Sequence, residues 1–297
     1  MRVGLIMGID DRGREPAPRW DDITAHALTA EEVGFDLITF ADALTDGPLS
    51  YWEGMTMAAA VAATTRTIEI AHSTVNAPFR PPALIARTAQ TLDEISGGRY
   101  TLGVGAGNTP DDYENFGVDA DHRYSRFVES LTVIESLLRR GAVEFDGDYQ
   151  SAHADRFVPT GPRPGRIPIN VAAGGPKMLA LTVRLADEWN WWTGAIDARA
   201  HVLPLLETLE SECMAQGRDP SSLRRTLDVY SYDPLGAVDD PPPHLHRGSI
   251  ADMAESIIAF SDLGIDEVRI DLAPAPLDRR IAAIEAMRPV VVAAHTD

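Results

Sequence analysis

The sequence predicts an α/β fold of the (β/α)₈ type, a TIM barrel with insertions, and three observations carry that prediction. Short β-rich apolar runs alternate with longer helical patterns from end to end, the signature of repeated βα units around a parallel sheet. Eight such runs occur in order, each followed by a helical pattern. The length of 297 residues suits a single barrel, for which roughly 250 suffice, and no shift of composition marks a boundary, so residues 1–297 read as one domain.

The first strand is expected over Val3–Met7. After a polar loop comes a helix over Trp20–Val33, with Gly34 placed to end it in the left-handed region, and then the second strand, Phe35–Phe40. Tyr51–Ala63 reads as helix and Thr67–Ser73 as the third strand. A helix over Pro81–Ile95 is begun by proline and closed by Gly97-Gly98, ahead of the fourth strand, Tyr100–Val104. An irregular stretch, Gly105–Asp121, precedes a helix over Arg123–Arg139. A hairpin is expected with arms Val143–Phe145 and Asp148–Gln150 around Gly147. The remaining strands are Ile169–Ala172, Glu188–Trp192, Arg225–Ser231 and Glu267–Asp271. Helices are expected over Pro176–Ala186 and Ala198–Gln216, from a capping box at Ser249–Asp252, and over Leu277–Ala294.

Composition narrows the function classes. An apolar content of 44% with a mean hydropathy of -0.12 is that of a soluble globular protein. Met1–Met7 is too short for a signal sequence and no run approaches a membrane span, which predicts a cytoplasmic protein with no membrane partner. The formal charge of -19 opposes nucleic acid and anionic lipid alike. One cysteine, Cys213, precludes an internal disulfide or a cysteine-based zinc cage. His244-x-His246 lies in a proline-rich loop with no carboxylate cluster at matching spacing, so no metal is expected.

Barrel active sites form where strands end, which makes candidates of Asp42, Ser73-Thr74-Val75-Asn76, Gly105–Asn108, Ala173–Lys177 and Thr193-Gly194. Small residues there let backbone approach a flat ligand and leave N–H groups free for an anion. Gly174-Gly175-Pro176 stands directly before a helix, where amides and dipole together suit a phosphate; it is also simply a good turn. Lys177 is the only lysine, and reads equally as a phosphate contact or an exposed helix-start residue. Gly103-x-Gly105-x-Gly107 lacks the rest of a dinucleotide fingerprint. His72 shares a strand face with Ile70, toward either the lumen or the helices, and Trp189, Trp191 and Trp192 either stack on a ring or fill core.

Three stretches, Thr65–Ile70 through Arg80-Pro81-Pro82, Thr91–Arg99 and Leu102–Gly107, resemble the bacterial luciferase-like oxidoreductase superfamily. Ala30–Asp36 and Leu185–Trp189 extend the likeness over nearly the whole chain. The resemblance implies a (β/α)₈ barrel with insertions. Within it, Ala172-Ala173-Gly174-Gly175-Pro176 is similar to the branch that uses the deazaflavin coenzyme F420, the glucose-6-phosphate dehydrogenases and methylene-tetrahydromethanopterin reductases among them. That likeness implies a cofactor phosphate on Gly174, Gly175 and the helix start, with Ala173, Pro176 and Lys177 beside it, and Asn76, Gly107 and Asn108 lining the cofactor. It implies a non-prolyl cis peptide at Ser73–Thr74 that props the ring. Asp42 matches the family's aspartate after the second strand and is by that resemblance a cofactor-binding candidate too, but Ala43 stands where the sugar dehydrogenases place a catalytic histidine. Asp42, His72 and Asn108 are therefore the candidate catalytic residues, with Tyr113 and Glu114 as further proton-transfer candidates. The expected activity is hydride transfer between F420 and a small organic substrate, in a homodimer. The alternative is an FMN-dependent monooxygenase fed by a separate reductase.

Overall fold

The computed structural model describes residues 1–7, 19–42, 44, 52–107, 110–193, 199–236, 245–246, 248–272 and 277–296. In chain order the elements are β1 (Arg2–Ile6), α1 (Trp20–Val33), β2 (Leu37–Phe40), α2 (Gly54–Thr64), β3 (Glu69–His72), β4 (Val75–Asn76), α3 (Pro82–Ser96) and β5 (Tyr100–Gly105). There follow α4 (Pro110–Asn115), α5 (Arg123–Arg140), β6 (Val143–Asp146), β7 (Ser151–Ala154), β8 (Ile169–Ala172), α6 (Pro176–Leu185), β9 (Glu188–Trp192) and α7 (Arg199–Gln216). The chain closes with β10 (Arg224–Ser231), α8 (Ile250–Ser261), β11 (Glu267–Asp271), α9 (Arg280–Ala286) and α10 (Arg288–Thr296).

Parallel pairing runs β1–β2–β3–β5–β8–β9–β10–β11 and returns to β1, which closes an eight-stranded barrel. The two residues of β4 continue the third strand beyond Ser73–Thr74 and pair with the end of β5. Among the described strands β6 and β7 stand apart, as an antiparallel hairpin.

Side-chain alternation divides the strands into an apolar outside and a polar inside. Ser73 at the end of the third strand bonds Asp228 on β10 and Asn190 on β9, neither of which adjoins it in the sheet, so these side chains cross the lumen. Their strand neighbours Leu227, Val229, Trp189 and Trp191 then face the helices. Ile70, Leu102, Val171, Val268 and Ile270 do likewise, all buried. Each such side chain contributes roughly 1.5–3 kcal/mol when fully buried, so the main core lies between barrel and helix ring.

Helix boundaries follow local chemistry. Gly34 ends α1 at φ 100, with its N–H on the Ala30 and Glu31 carbonyls, and Ser249 and Asp252 form a reciprocal capping box at α8. Three expectations need correction. The second hairpin arm is Ser151–Ala154, because the Glu129 carboxylate takes up the amides of Asp148, Tyr149 and Gln150 and holds them out of the ladder. The closing helix is split at Met287: Pro289 has no N–H to offer and its ring would clash with the carbonyl four residues back in a continuous helix. The stretch after β5 contains the short helix α4.

Candidate cofactor site at the barrel mouth

The C-terminal ends of the strands form the mouth, and its rigid wall is built around the Ser73–Thr74 peptide, which is cis. The third strand leaves regular geometry there, and β5 gives it room through glycine. A Cβ on Gly103 would stand 1.7 Å from the His72 carbonyl oxygen, and one on Gly105 would stand 2.5 Å from Thr74 Oγ1. The spaced glycines of this segment thus serve strand packing rather than a dinucleotide fingerprint. Gly107 adopts φ +75 against the Tyr113 ring, and the Tyr113 hydroxyl donates to the Ala106 carbonyl at 2.5 Å.

Asp42 is buried beside this wall and committed to structure. The Arg80 guanidinium grips its carboxylate in a bidentate pair at 2.5 and 2.7 Å, and the Asn76 N–H donates to it at 2.8 Å. The Asn76 side-chain amide returns a bond to the Asp42 carbonyl. Arg80 also meets Glu53 at 2.5 Å. Burial alone would depress the Arg80 guanidinium, but Asp42 and Glu53 outweigh it and hold its proton more tightly. Asp42 therefore orients Asn76 and already accepts three hydrogen bonds, two of them from Arg80.

His72 lies on the opposite strand face from Ser73, wholly buried among the helix-side residues. Its Nδ1 pairs with the Tyr100 hydroxyl at 2.9 Å, and Phe40 packs on its ring. Burial pushes its pKa down, leaving it neutral. That position corrects the expectation of proton transfer from His72, since no lumen ligand can reach it. Asn108 lies outside the described residues, as do Ala43, Gly194 and His244. Tyr113 is buried and Glu114 exposed. Among the described residues no group of three or more His, Cys, Asp or Glu side chains is placed to hold a metal ion, and no helix is long and apolar enough to cross a membrane.

Two strands round the barrel from this wall, after β8, stands the glycine turn. Gly175 is the N-cap of α6 in an extended conformation, Pro176 takes the first helical position, and Gly175 and Lys177 are exposed. The two neighbouring tryptophans fix the turn from the helix side. Trp189 donates its indole N–H to the Ala173 carbonyl at 2.7 Å, and Trp191 packs so closely on Gly174 that a Cβ there would lie 2.2 Å from its ring. Trp192, of lumen parity, is 62% exposed at the rim.

The N-terminus of α5 adjoins that of α6. Lys177 Nζ sits 5.8 Å from the centre of the Tyr124 ring, the Tyr124 hydroxyl donates to the Lys177 carbonyl at 3.3 Å, and Arg123 donates to the Gly107 carbonyl at 3.3 Å. Two helix N-termini, a lysine and an arginine thus converge beside open backbone, an arrangement that favours a phosphate.

Below the mouth the lumen holds polar residues that the sequence reading passed over: Asn170, Glu188, Asn190, Thr226, Asp228, Glu267 and Arg269, all buried. Strict polar–apolar alternation in Glu188-Trp189-Asn190-Trp191 and Glu267-Val268-Arg269-Ile270 was the signal that could have revealed them. Burial raises the pKa of Asp228 and of Glu188.

A family model described as luciferase-like monooxygenase matches residues 1–232. The chain belongs to the luciferase-like monooxygenase family. Among the relatives of this family member, the 5,10-methylenetetrahydromethanopterin reductase of Archaeoglobus fulgidus is 32% identical over 172 residues. That match covers 58% of this chain and about half, 49%, of the relative's length. An F420-dependent glucose-6-phosphate dehydrogenase of Beutenbergia cavernae is 30% identical over 240 residues, 77% of this chain and 69% of the relative. Among solved structures, the monooxygenase RslO1 of Streptomyces bottropensis superposes with a TM-score of 0.88 at 18% identity over the full length of both chains, a likeness of luciferase-like fold.

Proposed function

We propose that this luciferase-like protein is an F420-dependent oxidoreductase that transfers a hydride between the deazaflavin and a small organic substrate. The observation that carries the reading is the meeting of the α5 and α6 N-termini around Gly174, Gly175 and Lys177, which suits the phosphate of a flavin-like cofactor. The relative named for F420, similar over most of this chain, favours the deazaflavin over FMN. The residues present fit such a group: a Cβ on Gly175 meets nothing among the described residues within 4 Å, and Ser73, Thr74 and Asn76 border the same mouth two strands away, across β5.

When bound, a deazaflavin supplies two-electron hydride chemistry. The chain's own part is to hold and orient. The α6 amides and Lys177 would anchor the phosphate, Asn76 would be kept in place by the Asp42–Arg80 pair, and Gly107 with Asn108 would line the cofactor. The departure at Ala43 argues against the sugar-phosphate reaction. The -19 charge disfavours a strongly anionic substrate.

Equilibrium titration of the purified protein with F420 and separately with FMN tests the reading. Tight F420 binding, followed by oxidation or reduction of the bound deazaflavin with at least one enone, imine or alcohol, is expected. Tight FMN binding without F420 binding overturns it and makes the FMN-dependent monooxygenase the working assignment.

A further inference from the structure

The polar lumen is a column of ion pairs whose charges do not balance. At its base Arg2 meets Glu69 at 2.7 Å and Glu267 at 3.1 Å, and Arg224 meets Glu188 at 3.1 Å. In the middle Arg269 bonds Glu267 at 2.7 Å and approaches Glu188 only to 4.0 Å. At the top Asp228 stands 3.6 Å from Arg269, beyond hydrogen-bond reach. Among these described residues four carboxylates, Glu69, Glu188, Asp228 and Glu267, share three guanidiniums, Arg2, Arg224 and Arg269. Asp271, higher on β11, adds no positive charge and accepts from Ser231 at 2.8 Å.

Asp228 is the member with the weakest ionic partner, and it is buried. An uncompensated carboxylate in such surroundings takes up a proton rather than remain charged. Burial, helped by Glu267, raises its pKa, while Arg269 and Ser73 oppose the shift. Among the described residues its Oδ1 has no hydrogen-bond partner and faces Arg269, as a lone pair does, whereas its Oδ2 bonds Ser73 Oγ and accepts from Asn190 Nδ2 at 3.1 Å. Asn190 Nδ2 also donates to Ser73 Oγ at 3.0 Å, and Ser73 is half-buried at the mouth.

We propose that Asp228 is a positioning residue that carries a proton on Oδ2 at neutral pH and donates it to Ser73 Oγ, so that the serine's own hydrogen turns into the mouth as a donor to the bound cofactor. The alternative state is defined by the same atoms. Ionised Asp228 consumes the serine hydrogen and leaves the mouth an oxygen without a proton to give; the lost proton goes to solvent and no other bond changes. The identity of the ligand rests on the F420 reading; the proton on Asp228 does not.

Infrared spectroscopy of the ligand-free protein at pH 7 addresses the proton. A protonated-carboxyl carbonyl band that shifts when the wild-type protein carries isotope-labelled aspartate, persists in Ser73→Ala and vanishes in Asp228→Asn is expected. Its absence from the labelled wild type overturns the proposal and requires no variant to fold. F420 affinity across pH addresses the donor. The wild type should weaken roughly tenfold, about one hydrogen bond, as Asp228 ionises. In Asp228→Asn the amide can donate to Ser73 at every pH, so the strong low-pH affinity should persist throughout, and Ser73→Ala should bind weakly at every pH. A pH-independent wild type, or the same pH dependence in Asp228→Asn, overturns the donor role. A wild type that shows the band but binds no F420 refutes the cofactor reading and leaves the proton on Asp228 in place.

Discussion

Replacing Gly174 by alanine would put a methyl carbon 2.2 Å from two atoms of the Trp191 ring. Carbon atoms pack best about 3.5–4.0 Å apart, so ring or turn must yield by more than ~1 Å. Trp191 cannot yield freely, being partly buried against the core on the helix side, while Trp189 holds the preceding carbonyl. Overpacking of this kind costs about 1–3 kcal/mol. For a chain of this length, at about 2 °C per kcal/mol, the melting temperature should fall by roughly 2–6 °C. Gly175→Ala is the matched control: its φ of -92 suits any residue and a Cβ there meets nothing within 4 Å. Its small capping loss is offset by the reduced freedom of the unfolded chain, about 0.4–1 kcal/mol. Calorimetry and F420 titration of both variants read the outcome. Gly174→Ala should lose stability and bind at least tenfold more weakly, and Gly175→Ala should stay near wild type in melting temperature. Equal melting temperatures and affinities for the two variants would refute the idea that the tryptophans set the shape of this turn.

Four other substitutions test the scaffold. His72→Phe should leave turnover per folded molecule unchanged but cost about 1–3 kcal/mol in chemical denaturation, because the buried Tyr100 hydroxyl loses its partner; a loss of turnover at full stability would restore a catalytic role to His72. Arg80→Met should destabilise by about 3 kcal/mol by stranding the Asp42 carboxylate, and Asp42→Asn added to it should recover part of that loss, both read from urea melts. Glu31 accepts from the amides of Arg66, Thr67 and Ile68, and these bonds outweigh burial to pull its pKa from 4.5 to about 2. Its contribution is present in full above pH 4.5 and is lost as pH falls toward 2. For a group so open to solvent it is worth about 1–2 kcal/mol, and Glu31→Gln should flatten that limb of the stability profile.

The barrel was legible because each βα unit carries its own punctuation, such as Gly34 after α1, Gly97 after α3 and the Ser249 capping box. Where a boundary depended on a distant side chain, local pattern missed it. Glu129 reaches over to the hairpin from α5, and nothing in Asp148-Tyr149-Gln150 announces that its amides are taken. The glycine turn could be read as a phosphate seat, but the tryptophan packing that shapes it emerges only once β9 is folded beside β8. The facing of His72 was undecidable from alternation alone, which gives two faces without saying which is inside. The Asp228–Ser73 contact joins residues 155 positions apart, and only closure of the ring brings them together.

The charged lumen also governs how the barrel can assemble. A strand that slid by one residue against its neighbours would turn Glu267 and Arg269 outward beneath the helices and send Val268 and Ile270 into the ion column. Both displacements are costly at once, since charges would enter an oily layer and their former partners would be left alone in a confined space. The inner ring of acids and arginines therefore acts as an assembly key, admitting the one alignment of eight strands in which the mouth residues meet.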